Sequence, residues 1–117
     1  MGGEEKSLFV QLLGDVPLIR VIDVLIENSI FDYTKTEIAR NAGISRASLY
    51  NIWQTLEDYK LIKKSRKIGN TVLYKLNKEN PVVQKLIELD LKISKEFADT
   101  FAEKRVNAVQ VIQNRKK

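Results

Sequence analysis

Between Thr34 and Leu61 the chain reads TKTEIARNAGISRASLYNIWQTLEDYKL, and the signals packed into this stretch leave it little freedom of fold. Thr34 and Glu37 have the spacing of a capping box: the Thr hydroxyl accepts the third backbone N–H, and Glu37 reaches back to the cap's own N–H. A helix therefore begins at Lys35. Asn41, Ala42 and Gly43 close it, with Gly43 supplying the left-handed backbone that a sharp turn demands. Ile44 anchors the turn, and Ser45 caps a second helix that runs to about Asp58 or Tyr59. On that helix Leu49, Ile52, Trp53 and Leu56 recur at offsets of three and four and form a core face. Ala47, Tyr50, Asn51 and Gln54 lie on or beside the opposite face, open to a ligand. Two short helices joined by a glycine turn are the outcome.

From Lys60 to Lys78 follow seven basic residues (Lys60, Lys63, Lys64, Arg66, Lys67, Lys75 and Lys78) and no Asp or Glu, although acids are scattered through the rest of the chain. Such an asymmetry points to a polyanion as partner. Within it, Leu61 to Leu76 holds two strand-like runs about the turn-forming cluster Lys67, Ile68, Gly69 and Asn70. Val72, Tyr74 and Leu76 alternate inward, whereas the charged run Lys63 to Lys67 suits an edge strand that extends into solvent. Ile30, Phe31, Asp32 and Tyr33 alternate as a short strand able to pair with this hairpin.

Upstream, Leu8 to Leu13 reads as a short helix broken by Gly14, and Asp15 is placed to cap the next, with Pro17 in its first turn. Leu18, Ile19, Ile22, Leu25 and Ile26 then give Val16 to Glu27 the spacing of a core helix. Downstream, Asn80 and Pro81 open a helical stretch that meets no further Gly or Pro, on the order of 50 Å if continuous. Its stripe Val82, Leu86, Leu89, Ile93, Phe97 and Phe101 averages about 3.8 residues per step, beyond the 3.5 of a strict coiled coil, and so predicts bundle packing. One small core cannot cover that length, and the stripe is assigned to dimerisation.

The predicted fold class is α+β, mostly α: a winged helix-turn-helix with an N-terminal helix and a long C-terminal helix. Residues 1–14 are read as an N-terminal helical arm, 15–79 as the winged helix-turn-helix, and 80–117 as the dimerisation helix. A chain of 117 residues with 44% apolar content and a net charge of +5 suits one modest core. With no Cys and no His, disulfides, thiolate nucleophiles, imidazole bases and Cys/His metal sites are excluded. Asp15, Asp23, Asp32, Asp90 and Asp99 are read as caps, turns and solvated faces, so no enzyme, no metal and no cofactor are expected. An N-terminus that is acidic and only briefly apolar, with no run near twenty apolar residues, predicts a cytoplasmic protein away from the membrane.

Chemistry follows from placement. Ser45, Arg46 and Ser48 stand at the head of the second helix, where N–H groups and the positive dipole end favour phosphate, and Arg46 also reaches guanine. Asn51 and Gln54 can pair bidentately with adenine, and Tyr50 suits a thymine methyl or a phosphate. Thr34 and Lys35, at the head of the first helix, complete that side. Lys63, Lys64, Arg66 and Lys67 are expected to lie along the phosphate backbone of a DNA duplex, with the tip at Ile68 to Asn70, Gly69 included, approaching the minor groove. The plainer alternatives are a solvated helix face and lysines that guard a strand edge. Trp53 and Tyr74 read as packing residues rather than a base-stacking platform.

The runs LLGDVPLIRVIDVLIEN, FDYTKTEIARNAGISRASLYNIWQTLE, KIGNTVLYKLN and NPVVQKLIEL, spanning Leu12 to Leu89, resemble the winged helix-turn-helix regulators of archaea, relatives in fold of the MarR and ArsR groups. The turn Gly43-Ile44-Ser45-Arg46 with Leu49, Leu56 and Leu61 carries the core of that resemblance, and Lys67 to Asn70 with Leu73 to Asn77 carries the wing. It implies a homodimer that binds operator-like double-stranded DNA, with Arg46, Ala47, Ser48, Tyr50, Asn51 and Gln54 facing the groove and Arg66 to Asn70 as the wing. The leading expectation is a dimeric transcriptional regulator, its helix 45–58 in the major groove and its wing 62–76 on the backbone. A protein-protein adaptor and a DNA partition or segregation protein are the alternatives, and no small-molecule effector is legible.

Overall fold

The computed structural model describes residues 6–115, with side chains described for residues 6–100. In chain order the elements are α1 (Leu8–Leu13), α2 (Pro17–Glu27), α3 (Lys35–Ala42), α4 (Arg46–Asp58), β1 (Ile62–Ile68), β2 (Thr71–Leu76) and α5 (Pro81–Arg115). This is the mostly helical winged helix-turn-helix that the sequence predicts.

Local chemistry sets most boundaries. The Ser7 hydroxyl accepts the Val10 N–H to start α1, and Gly14, at φ 116°, ends it. Thr34 and Glu37 complete the capping box of α3: the Thr34 N–H donates to Glu37 Oε1 at 2.9 Å, and the Glu37 N–H donates to Thr34 Oγ1 at 3.1 Å. Gly43 takes the left-handed conformation at φ 68°, and Ser45 caps α4 by accepting the Ser48 N–H.

One cap differs from expectation. Val16 occupies the cap position of α2 with no side-chain bond, and Asp15 is engaged elsewhere. Its carboxylate is drawn to Arg20, one turn into the helix, and to Lys6 at 2.9 Å. Those two cations, Arg20 foremost, hold the Asp15 carboxyl far below the usual carboxylate range. Arg20 also directs Nη1 toward the carbonyls of Ala42 (3.3 Å) and Gly43 (3.4 Å), which ties α2 to the turn between α3 and α4.

The hairpin pairs antiparallel from Ile62 opposite Leu76 to Ile68 opposite Thr71, with a bulge between Lys64 and Arg66. Its turn is tighter than the sequence suggests, because Lys67 and Ile68 remain in the strand. Gly69 alone among the turn residues has positive φ, 61°, the arrangement of a II′ hairpin turn. The expected strand over Ile30 to Tyr33 shrinks to a single bridge. Tyr33 and Tyr74 exchange both backbone bonds, at 2.8 and 2.7 Å, whereas Ile30 is 78% exposed.

The turn that follows α4 passes through Lys60, which is left-handed at φ 54°. The Leu61 N–H donates to the Leu56 carbonyl at 2.9 Å and the Lys60 N–H to that of Glu57 at 3.0 Å, the bond pair of a Schellman motif. Asn77 and Asn80 both donate to the Lys60 carbonyl, at 3.0 and 2.9 Å, and Asn80 Oδ1 accepts the Val82 N–H to cap α5. A side chain at a left-handed position costs about 1–2 kcal/mol, part of which glycine returns through its freer unfolded chain. Lys60→Gly is therefore expected to stabilise the fold by roughly 0.5–1 kcal/mol, seen as a melting temperature raised by a few degrees.

The core joins α2, α3 and α4 to the base of the hairpin, and Val21, Leu49 and Leu56 have no exposed surface. α5 closes it with Val83 and Ile87 together with two members of the predicted stripe, Leu86 and Ile93. Val83 (1% exposed) and Ile93 (5%) are buried, while Val82 is 54% exposed; Leu86 and Ile87 are half-buried against the core. Asn80 is bonded both to the end of α4 and to the first turn of α5, so it joins the two helices at the point where α5 begins. Leu89 and Phe97 are left on the flank of the buried face, and the side chain of Phe101 lies outside the described residues. From Ser94 to Thr100 every residue is exposed.

Candidate nucleic-acid interface

α4 presents its polar face through the same helical periodicity that buries Leu49, Trp53 and Leu56. Arg46, Ala47, Tyr50, Asn51 and Gln54 are exposed and Ser48 is half-buried. Several of these side chains are already ordered by neighbours one turn away. Arg46 Nη2 donates to the Tyr50 hydroxyl at 3.1 Å, Gln54 donates to Asp58 at 2.7 Å, and the Ser45 hydroxyl donates to that of Ser48 at 3.0 Å. No such bond holds the Asn51 amide among the described residues.

The basic residues divide by partner. Lys63 donates to Glu79 at 2.6 Å, and its ammonium lowers the Glu79 carboxyl below the usual range. Arg66 grips Asp32 through Nε at 2.9 Å and Nη2 at 3.3 Å, and the Ser65 hydroxyl at the bulge donates to the same carboxylate at 2.7 Å. Arg66, with Ser65 beside it, holds the Asp32 carboxyl below its ordinary value. That pairing adds stability above the ordinary Asp range and loses it only as pH falls through the lowered value. Lys64 and Lys67 are exposed on the wing and form no ion pair among the described residues. Gly69 and Asn70 are exposed at its tip.

Lys35 occupies an aromatic cage. Its ammonium lies 4.4 Å from the centroid of Trp53, 5.7 Å from Tyr50 and 5.8 Å from Tyr74. Trp53 and Tyr74 meet edge to face at 4.8 Å, buried as the sequence predicts. Through this one cation the head of α3, the outer face of α4 and the base of the wing converge. Thr34, beside it, is occupied by the capping box.

Two features escaped the sequence: Asp32 as the partner of Arg66, and the cage around Lys35. The potential pairing of Tyr33 with the hairpin was the one signal that could have brought Asp32 beside β1. Elsewhere in the fold, burial, together with Asp23 and Glu27 of α2, pushes the Asp90 carboxyl of α5 up. The described residues hold no group of three or more His, Cys, Asp or Glu able to bind a metal, and no helix among them is long and apolar enough to cross a membrane.

No protein-family model matches the chain, and no curated protein matches it. Solved structures do. The AntR antimony-specific transcriptional repressor is 24% identical over 68% of each chain, with a TM-score of 0.52. NadR in complex with 4-hydroxyphenylacetate is 21% identical over 94% of this chain and 79% of its own, with a TM-score of 0.57. MepR, a transcription regulator of the Staphylococcus aureus multidrug efflux pump MepA, is 17% identical over 80% of this chain and 74% of its own, with a TM-score of 0.58. At these identities the likeness establishes the winged helix-turn-helix fold.

Proposed function

We propose that the chain is a sequence-specific double-stranded DNA-binding protein acting as a dimeric transcriptional regulator. The observation that carries this reading is the junction at Lys35, where the exposed hydrogen-bonding face of α4 meets the base of a wing whose Lys64 and Lys67 have no acidic partner among the described residues. α4 enters the major groove with Arg46, Tyr50, Asn51 and Gln54 toward base edges and phosphates, and the wing follows the backbone toward the minor groove. AntR and MepR, which share the fold, are a transcriptional repressor and a transcription regulator, in agreement with this assignment. The kinship with archaeal regulators, the cytoplasmic setting and the division into arm, winged domain and dimerisation helix rest on the sequence.

Dimerisation draws on exposed apolar surface. Leu12 is 62% exposed and Phe97 48%, and with Leu8, Gln11 and Ile93 they line a groove of about 300 Å³ between α1 and α5. Apolar surface gathered in this way fits an interface between copies. Val82 and Leu89 extend it along α5, while Ile93 already serves the chain's own core. Two-fold symmetry would set two copies of α4 roughly 34 Å apart on a palindromic site.

Selection of bound duplexes from a random pool, with the mass in solution measured alongside, tests the reading. A preferred, two-fold symmetric site is expected, and Asn51→Ala should weaken binding to it by about 1–3 kcal/mol while relaxing the base chosen at one position. A pool that yields no preferred site removes the sequence-specific assignment, and a monomer at micromolar concentration removes the dimer. Capture of a protein partner without DNA would favour an adaptor.

A further inference from the structure

Resting on that DNA-binding reading, we infer that Lys35 is a positioning residue for recognition, acting through Trp53 and Tyr50 rather than by contact with phosphate. A lysine at the first turn of the leading helix of such a motif would ordinarily be assigned to the DNA backbone, and its sequence position suggests as much. Its surroundings suggest otherwise. The ammonium sits closest to the indole face of Trp53, with Tyr50 and Tyr74 on the other sides of the cage. No carboxylate forms an ion pair with it among the described residues, so the ring faces are its charge partners. Residue 35 is itself half-buried.

Each ring belongs to a part of the proposed reading head. Trp53 and Tyr50 stand three residues apart on α4, and Tyr74 lies on β2 opposite the bulged strand. Tyr50 is exposed, and its hydroxyl accepts from Arg46, so the cage is linked through Tyr50 to the arginine at the head of α4. Attraction between a cation and an aromatic face strengthens when water is excluded, and two of the three rings are nearly buried. Lys35 thereby fixes the ring of Tyr50 and, through it, the guanidinium of Arg46. Moving the ammonium out to a phosphate would forfeit all three ring contacts.

The chain has a single tryptophan, which makes the cage observable without DNA. Lys35→Met keeps an apolar stem and removes the charge, and Lys35→Arg restores a cation suited to ring faces. In the free protein, Lys35→Met should change the intensity and maximum of Trp53 emission, and Lys35→Arg should recover most of the change. With duplexes from the pool selection, Lys35→Met should lower affinity for the preferred site roughly three- to tenfold, more than for duplexes without that site. The dependence of log K on log salt should keep its slope, and Lys35→Arg should restore preferred-site affinity. A phosphate contact would lower the slope by about 0.9 and weaken all duplexes alike; that result, or unaltered Trp53 emission, overturns the proposal. Absence of binding to any duplex by the unmodified protein would remove the DNA-binding reading and the positioning role together, while the emission measurement would still decide whether the cage exists. Thermal unfolding of each variant separates a loss of fold from a loss of positioning.

Discussion

Leu49→Ala is expected to lower the free energy of unfolding by about 3 kcal/mol, within the 2–5 kcal/mol typical of truncating a buried leucine. Leu49 has no exposed surface and belongs to the cluster that joins α4 to α2 and α3. Removing its isobutyl group forfeits both transfer energy and contacts on every side, because close-packed neighbours relax only partly into the space. A domain of this size has on the order of 5–15 kcal/mol to lose, so the variant should remain folded at room temperature. Urea unfolding should show a lower midpoint with an unchanged slope. A loss below about 1 kcal/mol would mean that the site collapses readily or that α4 is not seated as described. Leu49 faces away from Asn51 and Gln54, so affinity for a preferred duplex should change little while the variant stays folded.

The second large effect concerns charge. Replacing Lys64 and Lys67 together by Ala should reduce the salt slope of DNA binding by about 1.8, since each phosphate neutralised on a duplex accounts for about 0.9. Affinity at low salt should fall roughly ten- to a hundredfold across all sequences, because these side chains carry no base readout. Lys63→Ala should lower the slope much less, its ammonium being engaged with Glu79 at 2.6 Å. Titration in salt of the three proteins on one duplex decides the matter. Equal slopes for the double variant and the unmodified protein would place the duplex away from the wing.

How far the sequence reaches depends on how far apart the interacting residues stand. Thr34 with Glu37, the left-handed Gly43, and Ser45 with the Ser48 N–H are contacts within three residues, and each forms as the sequence predicts. The core face of α4 was legible for the same reason, since one helical period fixes it. Lys60 was counted as a charge, and nothing nearby announced that it would take a position usually given to glycine; Asn77 and Asn80, brought back by the hairpin, hold that turn. Asp32 finds Arg66 across thirty-four positions, and Lys35 finds Tyr74 across thirty-nine. Such pairings come from the folded chain as a whole, which is why a count of basic residues does not reveal which of them meet an acid. On α5 the periodicity singled out Leu86 and Ile93, which pack on the core, but not Val83, which is buried beside them.

The lone bridge between Tyr33 and Tyr74 has a mechanical consequence. It fastens the segment leading into α3 to the inner strand of the wing by two backbone bonds, so a tilt of the hairpin pulls on the helix that precedes the reader. Under the proposed DNA-binding reading, a duplex that pushed on one arm of this lever would displace both, and groove width and base identity would be sensed as a single coordinate.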